Sequence, residues 1–532
     1  METAVAQKAE SNSLASKFVR GSTAIFAGRV ISLVLKFFIQ VLIVRYLSKS
    51  DFGAFAYALN MVDIAQIVVL IALDNAAARF IPIYDEQKDY DSLFGFIILS
   101  LVSIIGLGAA TTLFFIAGRG LLSGILISDD VALSVVIILI ALGPLEALDS
   151  WFQSLFAGFG TVRAIFFRRY ILWPMLQMIA VVIVLLLRSD VYWLSIGYLV
   201  GGAMGTVLYA LMSYNLLRRK KVLQHFHWKT IKFGPGEIFG FSVPMFLTGL
   251  GFLVRSQLAI VLLAFFRGTV AVAEYRAVQP VVALNSVVYT SFALLYLPVA
   301  SRLFARKDTS GINKLFWQGA AWIAITSFPV FLVTFSLASP LVKLLFGEQY
   351  ASSAIIMTIA AFGTYFNSVM GFNKDTLRAY NKVKYLMFVD FTVVAAALIS
   401  FFVFMPVFGA VGAAISYTLA IVFNNILYHI GLVKHAGIKV FEPEYLPIYT
   451  LIAVFAAGLS IVQWLFSPSL FITVPLAAVL SLIVLRVSAP RLQMDEYFPE
   501  LSKVPVLKNL LHIGVVQKSE SGVAGIEADS GL

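Results

Sequence analysis

Long, unbroken apolar stretches alternate with short polar clusters along this chain. Residues 96–116 and 171–187 carry no charged side chain, and 387–405 carries only Asp390. None of these runs alternates polar and apolar at every second position, as a half-buried strand would. Each is long enough to cross the ~30 Å hydrocarbon core of a bilayer, which takes about 20 apolar residues in a helix. Only helices and closed barrels satisfy their backbone groups in lipid, so the pattern predicts helices. Fourteen such stretches fall at roughly residues 22–45, 52–80, 93–118, 131–157, 167–188, 191–217, 237–266, 274–302, 313–339, 352–375, 384–407, 410–433, 445–466 and 469–487. The expected fold is an all-α polytopic membrane protein with about 14 transmembrane helices.

The basic residues orient these spans. With the N-terminus in the cytoplasm, 29 Lys and Arg fall on the cytoplasmic side against 7 outside. Cytoplasmic loops carry such an excess, and one miscounted helix would invert the bias partway along. The expectation is therefore N-in and C-in. In that count Arg168 and Arg169 belong to a cytoplasmic loop, and Arg276 reads as interfacial at the outer end of the eighth span. The polar segment Met1–Arg20 reads as a cytoplasmic tail before a retained first helix, not as a cleaved signal. Near the other end, residues 497–513 suggest an amphipathic turn resting on the inner leaflet.

A weak repeat runs through the chain at an offset of 222 residues, pairing Arg45 with Arg267, Leu155 with Leu377 and Ala157 with Ala379. Six spans separate the copies, so both would have the same orientation: two parallel six-helix halves related by an axis along the membrane normal. The expected organisation is a tail over 1–21, a six-helix bundle over 22–217 and a basic linker over 218–236. A second bundle follows over 237–433, then a loop with helices 13 and 14 over 434–487, and a tail over 488–532.

Composition narrows the classes. The chain is 60% hydrophobic and 13% charged, with a formal net charge of +11. In a membrane protein that excess reflects basic cytoplasmic loops rather than a nucleic-acid partner. There is no cysteine, which excludes thiol catalysis and disulfides. The histidines lack metal-ligand spacing, and no phosphate-cradling Gly loop with Lys occurs, so neither a metal nor a cofactor is expected. No loop can hold an extramembrane catalytic domain. A transporter is expected, not an enzyme.

Several loop motifs then resemble the polysaccharide transporter (oligosaccharide flippase) family of the multidrug, oligosaccharidyl-lipid and polysaccharide exporter superfamily. The first is Arg45-Tyr46-Leu47-Ser48-Lys49-Ser50-Asp51-Phe52-Gly53-Ala54-Phe55, similar to that family's short outer turn. The second is Leu345-Phe346-Gly347-Glu348-Gln349-Tyr350, and the third is the basic loop Leu377-Arg378-Ala379-Tyr380-Asn381-Lys382-Val383-Lys384. The resemblance covers roughly residues 15–490. It implies a cell-membrane flippase carrying polyprenyl-phosphate or -pyrophosphate oligosaccharide from the inner to the outer leaflet by alternating access. Such a protein would work as a monomer among membrane lipids, near glycosyltransferases. The alternative is a cation-coupled exporter of drugs or small metabolites from the same superfamily.

Charges inside spans are expensive and mark cavities or partners. Arg29 and Lys36 lie seven residues apart on the first span, about 20° apart around the helix. Subtracting the repeat offset sets Arg255 between them, so the three are candidates for an anion clamp on the phosphate of the cargo. Asp63 and Asp74, eleven residues apart on the second span, are candidates for ion coupling or charge balance. Glu146, Asp149 and Asp390 read as charge-balancing groups. Pro244, in the same span as Arg255, is the candidate hinge, because an internal proline removes a helix hydrogen bond.

Overall fold

The computed structural model describes residues 31–120, 123 and 129–492. The expected tail over 1–21, residues 493–532 of the expected tail over 488–532, the turn at 497–513 and Arg29 lie outside the described residues. Among the described residues there is no strand, and eleven helices are long and apolar enough to cross a membrane.

Polar residues between the apolar runs start these helices. Helix α1 covers residues 31–46. Ser48 then caps α2 (Lys49–Leu70), its hydroxyl accepting the Asp51 amide at 3.0 Å. Ile71 and Ala72 adopt left-handed backbone angles, breaking α2 from α3 (Leu73–Gln87). Asp89 caps α4 (Tyr90–Ala117), Asp129 caps α5 (Asp130–Gly158), and Asp190 caps α7 (Val191–Arg219), which follows α6 (Arg163–Leu187). Each cap satisfies amides that have no partner within their own helix.

Next, α8 (Pro235–Leu253) passes through a π turn at Val254–Leu258 into α9 (Ala259–Ala283). Then come α10 (Val287–Ala305), α11 (Thr309–Ser336), the short α12 (Ala338–Phe346), and α13 (Ser353–Ala379). The 54-residue α14 (Val383–Ala436) precedes α15 (Leu446–Phe466) and α16 (Leu470–Ser488). Two of the long helices are interrupted where only glycine fits easily: α9 at Gly268, with φ 77°, and α14 at Gly409, with φ 58°.

Helices α2 and α9 pack against each other along a seam. Gly53 lets the two backbones approach closely: a Cβ there would overlap the Thr269 carbonyl. Around that contact the Lys49 ammonium pairs with Glu274 at 2.8 Å, and the Thr269 hydroxyl donates to Asp129 at 2.7 Å. Arg45 donates to the last carbonyls of α12, at Leu344 and Leu345. Arg267, its partner at the 222-residue offset, donates to the Pro406 and Val407 carbonyls just before the Gly409 break. Both guanidinium groups thus cover carbonyls left unpaired at helix ends. A second apolar cluster, with Trp151, Phe156 and Tyr209 fully buried, packs α3, α4, α5 and α7 together. Between that cluster and the α2–α9 seam the helices do not fill the interior.

Candidate functional site

Polar side chains from six helices line that interior space. From α1 come Ser32, Lys36 and Gln40. Their four-residue spacing stacks them on one face of the helix, about 6 Å apart along its axis. From α2 come Asp63 and Gln66, and from α5 Glu146, Asp149, Ser150 and Gln153, also one stripe at helical period. Helix α6 adds Arg168, Arg169, Trp173 and Gln177; α7 adds Thr206; α9 adds Arg276 and Gln279. Three adjoining cavities of about 390, 280 and 550 Å³ share these walls, and Lys36 borders all three.

The charges differ in how they are held. Arg168, only 3% exposed, pairs with Asp149 at 2.5 Å. Its guanidinium lies 5.3 Å from the Trp173 ring centre and 5.5 Å from that of Tyr209, against the bare backbone of Gly205. Charge, ring faces and a missing side chain together make the slot that takes this arginine. Arg169 donates to Gln153 at 2.9 Å. Arg276 donates to Asn60 and Gln279, each at 3.2 Å. The Asn60 amide donates to the backbone carbonyl of Gln257, and the Gln257 side chain donates to Asp63, both at 3.1 Å. Lys36 and Glu146 make no ion pair or side-chain hydrogen bond among the described residues. With Arg168 and Asp149 neutralising each other, Lys36, Arg169 and Arg276 face Asp63 and Glu146, so by formal charge the described residues of the chamber keep a positive excess.

Two segments of π-helix shape this wall, at Phe166–Leu172 and Val254–Leu258. A π turn adds a residue to the helical repeat and re-aims its side chains, and such turns recur at functional sites. The first carries Arg168 and Arg169, and the second carries Gln257.

Of the residues singled out from sequence, Lys36 and Asp63 come together in the chamber, with Glu146 and Asp149 beside them. Arg255 falls in the second π turn, and its side chain lies outside what the structure describes. Asp74 sits in the first turn of α3, accepting from Asn75 at 3.4 Å, away from the residues that line the chamber. Pro244 is exposed within α8, ten residues before the π turn begins. Asp390 lies apart from the chamber lining, accepting from Tyr428 at 2.7 Å with the Lys374 ammonium at 3.6 Å.

Three cations are differently placed from their sequence reading. Arg168 and Arg169, assigned to a cytoplasmic loop, line the chamber, because α6 starts several residues earlier than its apolar run and carries them into the wall. Arg276, expected at the outer interface, borders two of the cavities, because the break at Gly268 returns the chain into the helix bundle. The glutamines at 40, 177 and 279 escaped notice altogether. The four-residue spacing of Ser32, Lys36 and Gln40 along an otherwise apolar helix was the available signal.

Helices of this length and composition, enclosing ionisable side chains, define a multi-pass membrane protein. The chain belongs to the polysaccharide biosynthesis protein family, whose pattern matches residues 18–304. Among its relatives are an uncharacterised membrane protein of Methanocaldococcus jannaschii and the capsular polysaccharide biosynthesis protein CapF of Staphylococcus aureus. The first is 23% identical over 424 residues, covering 75% of this chain and 81% of the relative. CapF is 22% identical over 404 residues, covering 76% and 96%. Among solved structures, the lipid II flippase MurJ in an inward closed conformation is similar with a TM-score of 0.66 at 14% identity, covering 91% of this chain and 99% of MurJ. An inward-facing multidrug resistance transporter of the MATE family gives 0.54 at 14% identity, covering 80% and 95%. At these identities the structural likeness is one of fold.

Proposed function

We propose that this protein is a flippase that moves lipid-linked oligosaccharide, joined through phosphate or pyrophosphate to a polyprenol, from the inner to the outer leaflet by alternating access. The observation that carries the reading is the chamber's positive excess, held among membrane helices where isolated charge is costly. Membership in a polysaccharide biosynthesis family and the fold shared with a lipid II flippase support it. Lys36, Arg169 and Arg276 would neutralise the phosphate, the arginines through paired hydrogen bonds and the lysine as a point charge. Arg29 and Arg255 are further candidates for that clamp. Asp63 would balance or couple to the cations, with Asp74 as a second candidate, and Pro244 with the π turn after it would supply the hinge.

The same reading takes the chain as fourteen crossings with both termini in the cytoplasm. Unbroken, α14 would be about 80 Å long, far beyond the ~30 Å hydrocarbon core. The breaks at Gly409 and Gly268 would thus separate paired crossings, and α1 supplies the remaining one. The protein would act as a monomer close to glycosyltransferases. A second reading, a cation-coupled exporter of small molecules, draws on Asp63 and Glu146 in the chamber and on the MATE-like fold.

Glycan display in a host that depends on this gene tests the first reading. Lys36→Ala and Arg276→Ala are expected to abolish display and to leave lipid-linked oligosaccharide in the inner leaflet. Normal display by both variants at normal protein levels rejects the anion clamp. Export of organic cations, with no effect of gene deletion on glycan display, favours the second reading.

A further inference from the structure

The chamber contains a second kind of chemistry that the phosphate clamp does not use. Gln40 stands one helical turn beyond Lys36 on α1, and Gln177 faces the same space from α6, one turn beyond Trp173. Both amides are half-buried, and neither makes a hydrogen bond among the described residues. A primary amide offers two donors and an acceptor without charge. Such groups pair well with neighbouring ring hydroxyls, which are themselves both donors and acceptors. An apolar or simply cationic passenger would leave them unpaired in a low-dielectric space, which is unfavourable.

We propose that Gln40 and Gln177 form a subsite for the sugar attached directly to the phosphate of the lipid. The assignment rests on the flippase reading and extends it to the reducing end of the cargo. Its geometry follows from α1: Lys36 and Gln40 are about 6 Å apart along the helix, so a phosphate at Lys36 sets the first sugar ring beside Gln40. With the N-terminus of the chain in the cytoplasm, Gln40 lies on the outer side of Lys36. A lipid held in the inner leaflet would therefore present its phosphate to Lys36 and its sugar to the two glutamines, deeper in the chamber. A site built to hydrogen-bond a substrate hydroxyl discriminates strongly against an analogue that lacks it.

The experiment measures binding to the full-length protein in lipid nanodiscs. The probes are undecaprenol, undecaprenyl diphosphate, and undecaprenyl diphosphate bearing one glucose, galactose or N-acetylglucosamine. The wild type is expected to bind at least one glycosylated lipid about 10- to 100-fold more tightly than the bare diphosphate, the range two hydrogen bonds supply. The near-isosteric double variant Gln40→Met/Gln177→Met should lose that difference and retain wild-type binding of the bare diphosphate, which also reports correct folding. Persistence of the sugar-dependent difference in the double variant overturns the subsite, as does its absence in the wild type for all three sugars. The flippase reading fails separately: it is rejected if the diphosphates bind the wild type no better than undecaprenol does.

Discussion

Replacing Gly205 by alanine tests how the buried Arg168–Asp149 pair is built. An alanine Cβ at position 205 would overlap the Arg168 guanidinium, lying 2.7 Å from its Nε and closer still to Nη2. The guanidinium cannot swing away freely, being held by Asp149 at 2.5 Å and packed against Trp173 and Tyr209. Separating a buried pair costs about 3–5 kcal/mol, because the carboxylate and guanidinium lose each other without regaining water. Against this, Gly→Ala within a helix contributes about 1 kcal/mol through its better propensity. The expected net destabilisation is about 2–4 kcal/mol, read from reversible unfolding in mixed micelles. The decisive comparison is the same change in an Arg168→Ala background. There the obstacle is gone, and Gly205→Ala should become neutral or stabilise by up to about 1 kcal/mol. Equal destabilisation in both backgrounds would refute the claim that Gly205 exists to admit this arginine.

Four further outcomes follow from the geometry. Arg276→Lys should keep partial glycan display and Arg276→Glu should abolish it, at matched protein levels; indifference to the reversed charge removes Arg276 from the clamp. Bridging Lys49→Cys to Glu274→Cys with a short thiol cross-linker should arrest transport by pinning α2 to α9, and transport undiminished at full cross-linking counts against movement along that seam. Gly53→Val should destabilise by about 1–3 kcal/mol through overpacking against the Thr269 carbonyl, measured by thermal unfolding in detergent, and an unchanged midpoint would contradict the close approach. Asp89, between α3 and α4, is held below its ordinary carboxylate value chiefly by the Ser92 amide, with the Ser92 hydroxyl adding to it; its contribution is therefore present above the ordinary carboxylate range and lost as pH falls through the lowered value. Hydrogen exchange at the start of α4 should accelerate on that acid limb in the wild type and lose the dependence in Asp89→Asn.

The parts of the fold that were readable in the sequence are those governed by the bilayer's own length scale. Runs of about 20 apolar residues admit few alternatives, and the sequence boundaries at 407/410 fall on the break at Gly409. The features that escaped prediction obey local backbone geometry: the left-handed pair Ile71–Ala72 within one apolar run, the short α12, and the π turns. None of these alters hydropathy. The site divides along the same physical line. Lys36 and Asp63 stood out because a charge in an apolar helix is energetically conspicuous, whereas Gln40 and Gln177 are cheap enough in membrane helices to pass as background. Arg168 failed for the opposite reason, since a charge near the end of an apolar run is indistinguishable from a loop residue until Asp149, Trp173 and Gly205 are brought around it by other helices. Period is therefore a sharper guide than charge. Ser32–Lys36–Gln40 on α1 and Glu146–Asp149–Ser150–Gln153 on α5 each keep one face polar through an apolar segment, and lipid would tolerate neither stripe unless it turned inward to a shared polar chamber.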